Sequence, residues 1–445
     1  MADKVERKVK DRKGYLRRAS AVVAEDHTSP ATKESGVYFV RAFHARNVLR
    51  GTNQVQDPLC GLLLKRIIRM PAFMTFYPIG NADTTLIRLA NDDLVLFDFA
   101  DMRNANDPCD KRIDLPKAVK DDMADADRDS FRAVAFTHLH DDHICGARDF
   151  FWWDHATLLQ GDGRPKIDEM WVPADAITES NVEGDAWTIR AEARHRLKEG
   201  YGIKVFSRPG KLAKYLAEWG LTVEDRRDCI VDAGQLVPSF DKATDGVEFF
   251  VHSPFAWRSD DGLEDRNEGS IVVQATFREA GSESYALLGS DINYETLSLM
   301  IKTTKNHNNT HRLEWDILKL FHHCSYKSLS PDKGEDTTEP VDEVKWLFEE
   351  LAHKKEKIIS PSWPIPLKGS DEDEDAQPPH RQAANYYKEI IKDSEGEFLV
   401  TMETPRQSAP KPIKLKISWT GVAVMMAAVM PTVAAAASST TTRAG

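Results

Sequence analysis

The stretch Thr137–Gly146, "THLHDDHICG", decides how the rest of the chain is read. Three histidines and two aspartates crowd the span His138–His143, directly after the apolar run "FRAVAF" (Phe131–Phe136). A short apolar run of this kind reads as a buried strand. In an extended segment residues two apart face the same way, so His138 and His140 can grip one cation. Asp142 and His143, around the following turn, would face a neighbouring one. Imidazole and carboxylate together suit zinc first, with manganese or iron as alternatives. A lone His-x-His is weak evidence, because histidine pairs also occur in cores and on surfaces. The full cluster is stronger, because five such groups gathered without a cation would leave charge unpaired.

Working outward, strands and helices interleave. "MTFYPIGNADTTLIRL" (Met74–Leu89) reads as strand, Gly-Asn turn and strand, and "DDLVLFDFAD" (Asp92–Asp101) as a third strand ending in acids. "DLPKAVKDDM", "AWTIRAEARHRLKEG" and "GKLAKYLAEWG" have helical spacing, the last two closed by glycine. "GVEFFVHSPF", "SIVVQATF", "SYALLGSDI", "EKIISPSW", "EFLVTME" and "IKLKISW" read as strands, and "VDEVKWLFEELAHK" and "RQAANYYKEIIK" as amphipathic helices. No internal repeat and no long linker interrupts this alternation. The simplest account is one α/β domain over residues 72–420, preceded by an extension (1–71) that is basic at its start and followed by an Ala-rich tail (421–445).

Composition bounds the function. The net charge of −12 over 445 residues argues against a protein that coats nucleic acid non-specifically, though a local basic groove, and hence a nuclease, stays open. Five widely spaced cysteines with no CxxC pair form no disulfide framework and no zinc ribbon, which suits a reducing cytoplasm. The charged N-terminus lacks a secretory apolar stretch. "VAVMMAAVMPTVAAAA" (Val422–Ala437) falls short of the roughly 20 residues of a membrane span and contains Pro431, so no span is expected.

"HLHDDH" resembles the signature of the metallo-β-lactamase fold superfamily, and the resemblance runs through most of the chain from Met74. It implies a four-layer αββα sandwich and a dinuclear metal-dependent hydrolase. "GSDI" resembles the later strand-end aspartate, which makes Asp291 the implied bridging carboxylate, and "LKLFHHCS" resembles a late histidine motif usually written HHGS. That motif belongs to a branch containing the hydrolase domains of DNA-uptake competence channels and the phosphorylcholine esterases. "IGNADTTLI" (with Asp83), "NEGSIVV" (with Asn267 and Ser270) and "PPHRQAANYYKEI" (with His380) are similar to further stretches of that branch.

The resemblance implies two divalent cations held by His138, His140, Asp142, His143, His252, Asp291 and His323. His252, at a strand end before Asp291, either stands in for a third histidine of the first ion that the Gly-His-Thr pattern of many relatives supplies or is a buried structural histidine; His155 is a weaker candidate, and His195 reads as a surface residue. Two such cations about 3.5–4 Å apart share a hydroxide that attacks the substrate. Asp142, His322 and His380 are the implied catalytic residues: His322 facing the substrate, and His380 as proton donor, phosphate contact or plain helix cap. Asp98, ending "LVLFD", is expected to orient a ligand. Cys324 stands where the branch has glycine and reads as packing. A phosphodiester, small or within a nucleic acid, is the implied substrate. A lactone, lactam or thioester hydrolase and a non-catalytic adaptor or sensor are the alternatives.

Overall fold

The computed structural model describes residues 70–256 and 266–425. The extension read at residues 1–71, its basic arm included, lies outside them except for its last two residues, and so does the Ala-rich tail beyond Met425. The strands, in chain order, are β1 (Ala72–Phe76), β2 (Thr85–Arg88), β3 (Leu94–Phe97), β4 (Ser130–Phe131), β5 (Ala133–Ala135), β6 (Lys166–Ile167), β7 (Met170–Pro173), β8 (Ile203–Phe206) and β9 (Ile230–Val231). They continue as β10 (Val247–Ser253), β11 (Val272–Glu279), β12 (Ser282–Leu288), β13 (Trp315–Lys319), β14 (Ala352–Ser360), β15 (Glu397–Val400), β16 (Ile413–Ser418) and β17 (Gly421–Met425).

Two sheets carry the structure. The first has the order β17-β16-β1-β2-β3-β5-β7-β8-β9 and the second β10-β11-β12-β13-β14-β15. Each is antiparallel in one half and parallel in the other: β3, β5, β7, β8 and β9 run parallel in the first, and β12 to β15 in the second. Strands buried on both faces should be near-continuously apolar, and "LVLF" in β3 shows why. Leu94 and Leu96 point to the outer side of the first sheet, while Val95 and Phe97 point to the core between the sheets.

That inner core joins Trp171 and Phe97 of the first sheet to Val273, Ala286, Leu288, Ile317 and Ile359 of the second. On the outer side of the first sheet lie α1 (Leu115–Asp125), α2 (Ala174–Thr178), α3 (Gly184–Glu199) and α4 (Gly210–Glu218). Asp114 caps α1 by accepting the Lys117 N–H, with a proline in the first turn, and Gly200 (φ 81°) closes α3. The second sheet is covered by α5 (Tyr294–Asn306), α6 (Asp342–Glu350) and α7 (Arg381–Ile390). The layers are therefore helix, sheet, sheet, helix. Gly421–Met425 lies in the stretch read as tail, yet it pairs antiparallel with β16 as the edge of the first sheet.

Candidate metal centre

The site sits where the parallel strands of both sheets end, the position at which open α/β sheets place their ligands. β3 runs out into Asp98, β5 into the Thr137–His143 segment, β12 into Gly289–Asp291 and β13 into Leu320–Ser325. Asp83 reaches the same end from the turn before β2, which is antiparallel to β3. Two further contacts seat the histidine segment. The Ile271 N–H donates to the Thr137 carbonyl, and the Arg266 guanidinium donates to the Leu139 carbonyl while gripping Glu179. Gly289 is a glycine because β12 and β13 close tightly there: a Cβ would lie 2.6 Å from the Lys319 carbonyl oxygen.

Two groups of metal-capable atoms result. One contains Asp83, His143, Asp291 and His323; the other contains His138, Asp142 and His143. His143 is common to both. Its Nε2 lies 3.3 Å from Asp291 Oδ1 and 3.8 Å from Asp83 Oδ2. His323 Nε2 lies 3.3 Å from Asp291 Oδ2 and 3.3 Å from Asp142 Oδ2. Asp291 thus spans the two imidazoles with its two oxygens.

The far nitrogens are already committed. His143 Nδ1 donates to Asp98 at 2.8 Å, and His323 Nδ1 donates to the Pro361 carbonyl at 2.9 Å. Asp98 is fixed in turn by the Thr137 N–H and hydroxyl, both at 2.7 Å. Both rings therefore aim Nε2 at the carboxylates, the tautomer a metal-binding histidine needs. Among the described residues, both Nε2 atoms, Asp291 Oδ1 and Asp83 Oδ1 are buried with no hydrogen-bond partner, and Asp83 Oδ2 is paired with Lys319.

Charge makes the same point. Asp83, Asp98 and Asp291 are buried and Asp142 is partly so, while Lys319, with Nζ 2.7 Å from Asp83 Oδ2, is the buried ammonium beside them. Burial alone would push His143 down, yet Asp291 and Asp98 hold it well above the ordinary imidazole range. Burial opposes the proton on His323 as well, and Asp291 and Asp142 still raise it to about 10. Asp291 goes the other way: burial raises it, but His323 and His143 hold it well below the usual carboxylate range. The carboxylates demand positive charge at these Nε2 positions, which a divalent cation can supply in place of protons. The donor set fits such an ion.

Not every expected residue joins. His138 is in the second group, but His140 only flanks it, with Nδ1 3.1 Å from His138 Nε2. His252 is corrected outright. Its Nε2 is held by the Arg312 carbonyl at 2.8 Å and its Nδ1 by the Thr304 hydroxyl at 3.3 Å, and burial pushes it down to about 4. It is a neutral core histidine on β10, facing α5. His155 bonds Glu192, and His195 lies against Tyr201.

His322 stands outside both groups, with Nδ1 buried and without a hydrogen-bond partner among the described residues, and its pKa lowered by burial. His380 lies behind the same turn. Its N–H donates to the Cys324 carbonyl, its Nδ1 accepts from the Tyr326 N–H at 3.4 Å, and its side chain makes no helix-cap bond. Cys324 packs under α7, where burial pushes its thiol up to about 12. Reading the sequence missed Lys319 and left Asp83 as a motif match only. For Lys319 the signal was available, since it is a charged residue inside the otherwise apolar "ILKLF".

Layer order, the motif at the strand ends and the paired aspartate and histidine settle the architecture. The fold is the αββα sandwich that the resemblance to the metallo-β-lactamase superfamily implies. No family profile and no curated protein matches the chain. It is similar to solved structures at low identity. A diphosphatase of the PhnP family is 14% identical, with 70% of this chain and 96% of that chain covered and a TM-score of 0.27. Unliganded yeast PDE1 is 10% identical, with 74% and 97% covered and a TM-score of 0.38. BJP-1, a subclass B3 metallo-β-lactamase of Bradyrhizobium japonicum, is 13% identical, with 57% and 78% covered and a TM-score of 0.25. Among the described residues, no helix is long and apolar enough to cross a membrane.

Proposed function

We propose that this chain is a dinuclear metal-dependent phosphodiester hydrolase. The observation that carries the metal reading is the pair of locked imidazoles: His143 and His323 have their Nδ1 atoms spent on Asp98 and Pro361 and their Nε2 atoms directed at Asp291. Asp83, His143, Asp291 and His323 would hold one cation, and His138, Asp142 and His143 line the place of the other, with His140 beside it. Zinc is the proposed ion, because the donors are imidazole and carboxylate. Such cations, when bound, lower the pKa of water and draw charge from a phosphoryl oxygen.

The chain's own residues supply the rest. Asp98 keeps His143 in the ligating tautomer, and Asp291 keeps the two imidazoles in register. His322 and His380 are both lowered by burial, His380 to about 4 with the Lys333 charge adding to the effect, so both are neutral at pH 7. A neutral imidazole can donate to a phosphoryl oxygen or take a proton from a nucleophile. The phosphodiester assignment rests on the likeness of "FHHCS" and "NEGSIVV" to the esterase branch, an argument by analogy. It is tested on protein purified without chelator. About two metal ions per chain and cleavage of bis-p-nitrophenyl phosphate, inhibited competitively by phosphate-like anions, are expected. Hydrolysis of lactones with no effect of phosphate would replace this reading with the alternative.

A further inference from the structure

Trp363 is a large apolar side chain that the fold holds in place and still leaves 38% exposed. Its backbone N–H donates to Asn81 Oδ1 at 3.0 Å. Gly80, at φ 85°, comes so close to the indole that a Cβ there would lie 2.9 Å from the ring. The Arg112 guanidinium sits 5.3 Å from the ring centroid and is itself anchored by Asp110 at 2.7 Å. Single exposed apolar residues are common and need no explanation. An indole fixed by a glycine contact, a backbone bond and a cation is different, because its ordering entropy has already been spent before any ligand arrives.

The position matters as much as the fixation. Trp363 follows Pro361 by two residues, and the Pro361 carbonyl is the group that accepts from His323 Nδ1. Asn81 precedes Asp83 by two residues, and its Nδ2 also donates to the carbonyl of Pro378, two residues before His380. Two residues of chain reach at most about 7 Å. The loop that carries the indole therefore adjoins the segments that build the metal-capable cluster, with Asn81 tying it to the loops of Asp83 and His380.

We propose that Trp363 is a stacking platform for a nucleobase, which makes the substrate class a nucleotide phosphodiester. The assignment rests on the phosphodiester reading of the metal centre. A nucleotide, extended through its sugar, would lay its base on the indole and direct its phosphate towards the cluster. Base–aromatic stacking tolerates any base, since every base offers a π-face.

The test compares two diesters in wild type, Trp363→Ala and Trp363→Phe: thymidine 5′-(p-nitrophenyl phosphate) and glycerophosphocholine, which has no ring. The ratio of kcat/KM for the first over the second should fall about tenfold in Trp363→Ala and recover most of that in Trp363→Phe. An unchanged ratio in Trp363→Ala overturns the proposal. Equilibrium dialysis of the full chain with adenosine 5′-monophosphate separates this claim from the reaction it rests on. If wild type cleaves neither diester yet retains the nucleotide, and Trp363→Ala releases it, the platform stands and the catalytic reading fails. If wild type does not retain the nucleotide, the platform itself is refuted.

Discussion

Replacing Asp98 by asparagine is the sharpest perturbation of the metal centre, because it preserves shape and changes one atom's role. Asp98 Oδ1 accepts the Thr137 N–H, and Oδ2 accepts both the Thr137 hydroxyl and His143 Nδ1. In Asp98→Asn the amide oxygen must stay on the Thr137 N–H, so the NH2 takes the place of Oδ2. Two donors then face each other across the 2.8 Å contact unless His143 moves its proton to Nε2. That tautomer points N–H, and no lone pair, at Asp291 and at any cation. Loss of an outer partner of this kind costs a metal site about 10–100-fold in affinity, or about 1.4–2.7 kcal/mol. An opposing effect exists. Without the Asp98 charge His143 is less strongly raised, so a competing proton leaves more easily. The two separate by pH, since proton competition fades as pH rises and the tautomer penalty does not. Affinity is read by competition with a chromophoric chelator at pH 7 and pH 9, with circular dichroism as the control for folding. A tenfold or larger loss at both values is expected. A folded Asp98→Asn protein that binds metal within twofold of wild type at pH 9 would refute the second-partner role of Asp98.

His323→Ala should lose bound metal on elemental analysis, whereas His322→Ala should keep it and turn over at least tenfold more slowly, as a positioned acid or base contributes about 10²–10⁴-fold; metal loss in the second variant alone would reverse the two roles. Cys324, with a thiol pushed up to about 12, should resist iodoacetamide at pH 8 in native protein while the exposed Cys109 is labelled, as peptide mass spectrometry will show. Away from the site, Glu192 is fully buried and held down to about 2: burial would raise it, but His155 and Arg196 bond it at 2.7 and 2.6 Å. A lowered carboxylate contributes stability above its unfolded pKa near 4.5 and loses it as pH falls through about 2. Urea unfolding should therefore show Glu192→Gln less stable by about 3 kcal/mol at pH 7, with the gap narrowing below pH 4, and an equal gap at pH 3 and pH 7 would exclude this account.

The αββα order was legible because strand and helix periods differ. "LVLF" must lie between two apolar layers, and "HLHDDH" had to sit at a strand end. Helix α5 was equally visible in principle, with Leu297, Met300, Ile301 and Thr304 on one face and Asn293 as the cap. Its start runs directly on from "GSDI", which masks the cap in the sequence. β17 was not legible, since only the neighbouring β16 makes an edge strand of "GVAVM". His252 failed for a like reason. A histidine ending a strand near an aspartate is a ligand or a core residue according to what faces it, and Arg312, sixty positions on, decides.

The histidine pair shows the limit most clearly. Taken as strand neighbours, His322 and His323 should diverge because a pleat alternates. They do diverge, with ring centroids 6.3 Å apart and planes 73° apart, but for another reason. β13 ends at Lys319, and His322, His323 and Cys324 take φ values of 47°, 52° and 67° in succession. Left-handed backbone costs a side-chain-bearing residue about 1–2 kcal/mol, so no local preference would predict three in a row. What holds the turn is tertiary. The His322 N–H donates to the Ser290 carbonyl, His323 Nδ1 to the Pro361 carbonyl, and the His380 N–H to the Cys324 carbonyl. Each anchor belongs to a segment that itself borders the metal centre. The strain therefore persists because the site's own elements over-determine it. The one trace of it in the sequence is Cys324, standing where related motifs carry the residue that takes positive φ without cost.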